Sequence, residues 1–280
     1  MGKKICFTFF CLLSLAIFST GNGLKGQPSN TKLFVFGDSY VDTGNSPRAL
    51  SKTWKPPYGI TYPGKPFGRF SDGRVLTDYI ASFLRIKSPL PYELKNFNRK
   101  LIKYGINFAH GGTGVFPTII AINQPNMTTQ IDFFQQLILK NVYTKEDLRS
   151  SVALVSLAGN DYVTYLAKNG TLKLSQFHNQ FLHGNLLALN KQIGPVFIYL
   201  DLYKAFTSAL HLHRGNQLLK PCCAGVHGED CGFVDKNGIK KYVICKNRKQ
   251  SFFWDLIHPT NEGWRTVYLA LQPSLKCLLY

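Results

Sequence analysis

Short apolar runs alternate along the chain with segments whose apolar residues recur at helical spacing. Continuous apolar runs predict buried strands over 32–36, 104–109, 152–157 and 196–200. Helical spacing predicts helices over 75–84, 129–139, 175–193 and 260–271. Strands that are apolar on both faces and alternate with helices indicate an α/β fold, in which a parallel sheet is covered by helices.

The N-terminus has the pattern of a secretory signal peptide. Lys3 and Lys4 precede an apolar run over 5–18, and small or polar residues follow it. The run is shorter than the roughly 20 residues that a transmembrane helix needs. We therefore expect a signal peptide over residues 1–22, a secreted extracellular protein with no membrane span, and a single domain over residues 23–280.

Two sequons become relevant if the chain enters the secretory pathway. Asn126 is followed by Met127 and Thr128, and Asn169 is followed by Gly170 and Thr171. Both asparagines are therefore predicted glycosylation sites.

Charge bears on the partners of the protein. Lys and Arg number 33 against 15 Asp and Glu, which gives a formal net charge of +18. The basic residues are scattered, and no basic helix or Arg-rich run indicates nucleic-acid binding. An anionic cell-wall polysaccharide is the partner that this charge favours, while a merely solvated basic surface is the alternative. The sequence does not indicate an oligomeric state.

Five cysteines follow the predicted signal peptide, and four of them lie in one loop-rich stretch. They are Cys222, Cys223, Cys231, Cys245 and Cys277. Because paired Cys-x-x-Cys motifs are missing from this spacing, we expect disulfides rather than a zinc site. Their connectivity stays open at this stage, and the odd count leaves one cysteine over.

Polar motifs follow three of the predicted strands, where the ligand crevice of an open parallel sheet lies. Ser39 ends the first motif, and a fourth motif near the C-terminus contains Asp255 and His258. A serine hydroxyl becomes a nucleophile when a histidine removes its proton, and a carboxylate orients that histidine. The spacing of three residues lets Asp255 reach the ring of His258. These residues are therefore the predicted nucleophile, base and orienting acid.

An oxyanion hole requires hydrogen-bond donors aimed at the developing negative charge. The candidate donors are the backbone amide of Ser39, the amide of Gly111 or of Gly112, and the side-chain amide of Asn160. Separately, each of these groups also has an ordinary structural interpretation, such as a helix cap or a turn. The glycine turn lacks the Lys-Ser/Thr of a phosphate-binding loop, which argues against nucleotide binding.

The remaining histidines have no matching carboxylate motif. We expect them to be surface or helix-face residues. They are His110, His178, His183, His211, His213 and His227.

Taken together, the motifs resemble the plant GDSL esterase/lipase family of the SGNH-hydrolase superfamily. The resemblance is spread over most of the chain after residue 22, and its first and last motifs are the most specific. The matching segments are 34–45, 66–74, 107–114, 159–162 and 254–260. It implies a three-layer, flavodoxin-like fold with five parallel strands, and a secreted, glycosylated esterase without a cofactor or metal. It also implies Ser39, His258 and Asp255 as the triad, and ester substrates that range from lipids to acylated wall components.

The chain departs from the family pattern after residue 161. About 15 residues, 162–176, stand where the family has a further strand-helix unit, and a parallel crossover needs about a dozen or more for its connection alone. One central strand is therefore expected to be missing, so that the last strand either moves next to the third or leaves a gap. The alternative to an esterase is a catalytically impaired secreted or wall-associated binding protein, and acyl transfer to another alcohol is a third possibility.

Overall fold

A six-stranded sheet forms the centre of the protein. The computed structural model describes residues 14–19, 31–97, 99–119, 124–157, 159–168, 184, 191, 197–212 and 219–279. Its strands are β1 (Ser14–Ser19), β2 (Lys32–Gly37), β3 (Leu90–Pro91), β4 (Ile106–Asn107), β5 (Ser151–Leu157) and β6 (Phe197–Leu200). The spatial order is β3-β4-β2-β5-β1-β6. Because β3, β4, β2 and β5 pair in parallel, the predicted parallel sheet is confirmed.

Helices cover both faces of this sheet. The α-helices among the described residues are α1 (Leu76–Phe83), α2 (Met127–Leu139), α3 (Lys145–Arg149), α4 (Gly159–Ala167), α5 (Leu202–Leu212) and α6 (Asn261–Leu275). Short 3-10 helices span Lys52–Trp54, Tyr92–Leu94, Arg99–Tyr104, Arg248–Gln250 and Lys276–Leu279.

The alternation of side chains along β2 explains the three layers. Leu33 and Val35 are buried in a core formed with α1, α5 and α6. Phe34 and Phe36 are buried in a second core, which includes Leu137 of α2. Because successive residues of a strand point to opposite faces, one apolar run supplies both cores.

Most predicted elements are present with shifted ends. β4 is shorter than the predicted strand at both ends, and a 3-10 helix over residues 99–104 precedes it. α6 begins after Thr260, whose side chain accepts a hydrogen bond from the amide of Gly263 and caps the helix. The predicted helix over 175–193 lies outside the described residues, apart from 184 and 191.

Helix α5 was not predicted, although its signal is present in the sequence. Its buried residues are Leu202, Ala205, Phe206 and Ala209. They have the spacing i, i+3, i+4 and i+7 that defines one face of a helix.

The strands β5 and β6 do not pair with each other, because β1 lies between them. β1 pairs antiparallel with β5 over Ser14–Ser19 and with β6 over Leu15–Phe18. Neither expected alternative, the last strand next to the third or an open gap, is observed, because the N-terminal segment fills the place of the missing strand. The signal peptide over residues 1–22 stays a prediction, since this pairing belongs to the uncut chain.

The cysteine-rich stretch forms a separate hairpin of β7 (Cys223–Gly225) and β8 (Tyr242–Ile244). Disulfides join Cys222 to Cys245 and Cys223 to Cys231. These bonds settle the connectivity that the sequence left open. Cys277 is the exposed free thiol, so it is the cysteine left over.

Candidate active site

Ser39 lies in the turn after β2, at the carboxyl end of the sheet. Gly37 precedes this turn with φ +141°, and a Cβ there would lie 2.1 Å from the carbonyl oxygen of Ser156 in β5. Only glycine lets β2 approach its neighbour so closely. The carbonyl of Asp38 accepts a hydrogen bond from the amide of Asp42 at 3.0 Å, which closes the turn and places Ser39 at its tip.

The structure brings the three predicted triad residues together. Ser39 Oγ lies 2.9 Å from His258 Nε2, and His258 Nδ1 lies 2.9 Å from both carboxylate oxygens of Asp255. The loop that carries them is closed by a hydrogen bond of 2.7 Å from the amide of Trp254 to the carbonyl of His258. Asp255 Oδ1 also accepts the backbone amide of His258 at 2.9 Å. The acid and the base are thus fixed to each other by backbone as well as side chain.

The charge of the Asp255 carboxylate determines which imidazole nitrogen of His258 carries the proton. Asp255 is buried, and burial alone would raise its pKa, but the charge of His258 and the hydrogen bond with it hold the pKa of Asp255 well below its usual range. An ionised carboxylate can only accept hydrogen bonds, so His258 Nδ1 must be the donor. In the neutral ring Nε2 is then free to accept the proton of the Ser39 hydroxyl.

Two aromatic rings flank His258. The centroid of the Phe70 ring lies 4.9 Å from that of His258, and the Tyr40 ring lies 6.0 Å away in an edge arrangement. Tyr40 is tied to the same loop, because its hydroxyl donates to the carbonyl of Ile257 at 2.8 Å. These contacts restrict the rotation of the imidazole.

The structure distinguishes the two candidate glycines of the oxyanion hole. The amide of Gly111 is occupied, since it donates to Asp42 Oδ2 at 3.1 Å and to Ser46 Oγ at 3.3 Å. No described residue accepts a hydrogen bond from the amide of Gly112, which has φ +86°. The geometry therefore favours Gly112 over Gly111 as the donor.

Asn160 lies in the first turn of α4 and contacts the glycine turn. Its Nδ2 donates to the carbonyl of Thr113 at 2.8 Å. A side-chain amide has two hydrogens on nitrogen, so one of them remains for another acceptor. The structure thus places Asn160 next to the turn that contains Gly112.

Two polar residues that join the motifs were not singled out in the sequence. Buried Asp42 accepts the amides of Gly44 and Asn45 through Oδ1, and its Oδ2 accepts the amide of Gly111. Gln130 of α2 bonds both backbone groups of Gly37, at 2.8 and 3.0 Å. Gly111 is 69 positions from Asp42, and Gly37 is 93 positions from Gln130, so no spacing pattern reveals these two contacts.

One histidine prediction needs correction. His110 is buried and not a surface residue, because it directly follows the strand region and its amide donates to the carbonyl of Gly37 at 2.9 Å. Its ring Nδ1 lies 3.0 Å from the carbonyl oxygen of Gly111. His211 and His227 are exposed as predicted, and His178, His183 and His213 lie outside the described residues.

A Ser-His-Asp arrangement at the carboxyl edge of a helix-covered parallel sheet is the architecture of a serine hydrolase. The comparison with known proteins agrees, because the model of the family described as GDSL-like lipase/acylhydrolase matches residues 33–194. The chain belongs to this family and is an ester-hydrolysing enzyme. Among the described residues, no helix is long and apolar enough to cross a membrane.

Individual relatives extend this similarity over nearly the whole chain. GDSL esterase/lipase At5g03610 of Arabidopsis thaliana is 42% identical, over 97% of this chain and 97% of its own length. GDSL esterase/lipase At3g09930 of the same organism is 41% identical, over 95% of this chain and 98% of its own. The first alignment spans 351 positions, more than the 280 residues of this chain, so it contains gaps in this chain. This agrees with the predicted internal shortening.

Proposed function

We propose that the protein hydrolyses carboxylic esters through an acyl-enzyme on Ser39. The observation that carries the proposal is the hydrogen-bonded series from Asp255 through His258 to Ser39, in which each step is 2.9 Å. Such a series supplies a nucleophile, a general base and the group that orients the base. All three side chains are buried, which strengthens their electrostatic coupling.

The chemistry proceeds in two halves. In the first, Ser39 Oγ attacks the ester carbonyl carbon while His258 Nε2 takes the hydroxyl proton, and the same proton then passes to the alcohol that leaves. In the second, His258 takes a proton from water, the resulting hydroxide attacks the acyl-serine, and the acid is released as Ser39 regains its proton. His258 is neutral at the start of each half.

The charge on the ester oxygen would be stabilised by an oxyanion hole of three donors. These are the backbone amides of Ser39 and Gly112 and the side-chain amide of Asn160. The proposal is supported by the two amides, which have no acceptor among the described residues, and by the position of Asn160 at the glycine turn. Removing one donor of this kind typically lowers kcat by about 10² to 10³.

We propose that the substrate is an ester of a lipid or of an acylated wall component. The description of the matching family, GDSL-like lipase/acylhydrolase, supports this substrate class. A cavity of about 480 Å³ lies beside His110, but Ser39, Asp255 and His258 do not line it, so it is not assigned to the substrate.

We further propose that the protein acts outside the cell, as a single domain over residues 23–280 after cleavage of the signal peptide over residues 1–22. Glycosylation at Asn126 is compatible with its contacts, because its carbonyl oxygen Oδ1 accepts the amide of Thr129 and caps α2. The sequon at Asn169 lies outside the described residues. Without Lys3 and Lys4 the domain has 31 Lys and Arg against 15 Asp and Glu, a net charge of +16, which supports attraction to an anionic wall polysaccharide.

The decisive experiment compares the secreted wild-type chain with Ser39→Ala and with Ser208→Ala, an exposed serine of α5 that serves as the matched control. We expect hydrolysis of a p-nitrophenyl ester and labelling by a fluorophosphonate in the wild type and in Ser208→Ala, and neither in Ser39→Ala. Folded wild-type protein that neither hydrolyses nor labels would instead favour the non-catalytic wall-associated binding protein.

A further inference from the structure

A tyrosine outside the triad completes the hydrogen bonding of its acid. Tyr58 is fully buried, and its hydroxyl donates to Asp255 Oδ2 at 2.8 Å. Asp255 Oδ1 accepts the amides of Ile257 and His258, so the two carboxylate oxygens are held from different sides. Among the described residues, Tyr58 and His258 are the side chains that donate to this carboxylate.

Tyr58 is in turn held by the disulfide-linked part of the protein. It is buried in one cluster with Cys222, Cys223, Cys231, Tyr242 and Trp254. Its ring meets that of Trp254 edge-on, with centroids 6.0 Å apart. The amides of Cys222 and Cys223 donate to the carbonyls of Phe253 and Trp254, at 2.9 and 2.7 Å. The segment that leads into Asp255 and the tyrosine that bonds it therefore rest on the same cluster.

The backbone of Tyr58 leaves it little freedom to move away. The next residue, Gly59, has φ +72°, and a Cβ there would lie 2.3 Å from the carbonyl oxygen of Lys65. The amide of Gly59 donates to the carbonyl of Ser71 at 3.0 Å. A ring held by a tight turn and a packed cluster presents its hydroxyl in one direction.

We propose that Tyr58 is a positioning residue of the esterase, whose hydroxyl orients the Asp255 carboxylate towards His258 and connects the disulfide cluster to the triad. The inference rests on the proposed function of Ser39, His258 and Asp255. The Tyr58 hydroxyl keeps its proton, and therefore remains a donor, at every pH at which the esterase is assayed. Burial and the charge of Asp255 raise the pKa of Tyr58 well above its usual value.

Loss of the Tyr58 hydroxyl should shift the pH dependence of kcat/KM in one direction. The titratable groups that face Asp255 are His258, Tyr58 and Tyr40, and Lys52 acts on its charge as well. Without the Tyr58 donor the carboxylate is less stabilised and holds the imidazolium proton of His258 more strongly. Because the base must be neutral to act, the acid limb of kcat/KM should move to higher pH.

The test compares Tyr58→Phe with Tyr242→Phe, a control from the same cluster, using hydrolysis of a p-nitrophenyl ester. Rates are expressed per site labelled by a fluorophosphonate, so that misfolded protein does not count. For Tyr58→Phe we expect kcat to fall about tenfold, the size of one hydrogen bond to a charged group, with KM nearly unchanged. The acid limb should shift to higher pH in this variant alone.

The other results of this experiment would overturn the proposed role of Tyr58. A normal kcat and pH profile in Tyr58→Phe would show that the hydroxyl does not position Asp255. Equal losses in both variants, or a Tyr58→Phe chain that fails to fold, would show that the residue serves only the packing of the cluster. Failure of the proposed function is recognised separately, because Ser39→Ala would then retain the wild-type rate.

Discussion

Removing the buried carboxylate of Asp78 should destabilise the protein strongly. Asp78 lies in α1 and bonds Arg69 twice, with Nε to Oδ2 at 2.9 Å and Nη2 to Oδ1 at 2.8 Å. Their side chains are only 7% and 2% exposed, for Arg69 and Asp78 respectively. Asp78→Asn leaves the guanidinium buried without its counter-charge, for which we expect a loss of about 3–5 kcal/mol in the free energy of unfolding.

A loss of this size would reach the candidate active site. The neighbour of Arg69 is Phe70, whose ring packs on His258 and whose edge lies under Gly111. Total stabilities of domains are about 5–15 kcal/mol, so the change removes a large share of the margin. Activity should therefore be lost at a lower temperature than in the wild type.

The assay is urea unfolding of the wild type, Asp78→Asn, Arg69→Met and the double variant. In the double variant no buried charge is left unpaired, so we expect it to be more stable than Asp78→Asn alone. A cost below about 1 kcal/mol for Asp78→Asn, or a double variant no more stable than the single one, would refute this reasoning.

The ion pair of Arg69 and Asp78 should also make the stability of the protein depend on pH. Burial alone would raise the pKa of Asp78, but the charge and hydrogen bonds of Arg69 hold it below its ordinary value of 3.8. A carboxyl group with a lowered pKa in the folded state stabilises the protein above its unfolded pKa and loses that contribution as the pH falls. The wild type should lose stability below about pH 4, while Asp78→Asn should show a flatter curve there.

Three further outcomes are expected. Gly111→Ala should lower activity by up to about a hundredfold, because its Cβ would lie 2.4 Å from the Phe70 ring, whereas Gly184→Ala, with no atom within 4 Å, should keep the wild-type rate. Asn160→Ala should reduce kcat by about 10² to 10³ with intact fluorophosphonate labelling as evidence of folding. In the uncut chain, expressed without secretion, deletion of residues 1–22 removes β1 and leaves backbone groups of β5 and β6 unpaired, so the thermal midpoint should fall. An unchanged midpoint would show that β1 adds no stability.

Much of the candidate site could be predicted because its signals are local. Asp255 and His258 are three residues apart, and the turn that joins them is visible in the sequence. Ser39 follows an apolar strand, and the ends of parallel strands meet at one edge of a sheet. The choice between Gly111 and Gly112 was open in the sequence, because it depends on which amide Asp42 occupies in the folded chain.

The sequence by itself determined the α/β class, the strands around Ser39 and the identity of the triad candidates, since periodicity and short motifs are properties of neighbouring residues. Only the tertiary structure decided the disulfide pairs, the burial of His110, the contact of Tyr58 with Asp255 and the insertion of Ser14–Ser19 between β5 and β6. Tyr58 and Asp255, and likewise β1 and its partner strands, are far apart in the chain. The disulfide pairs and the burial of His110 also depend on the packing of the whole molecule, because no local pattern encodes them.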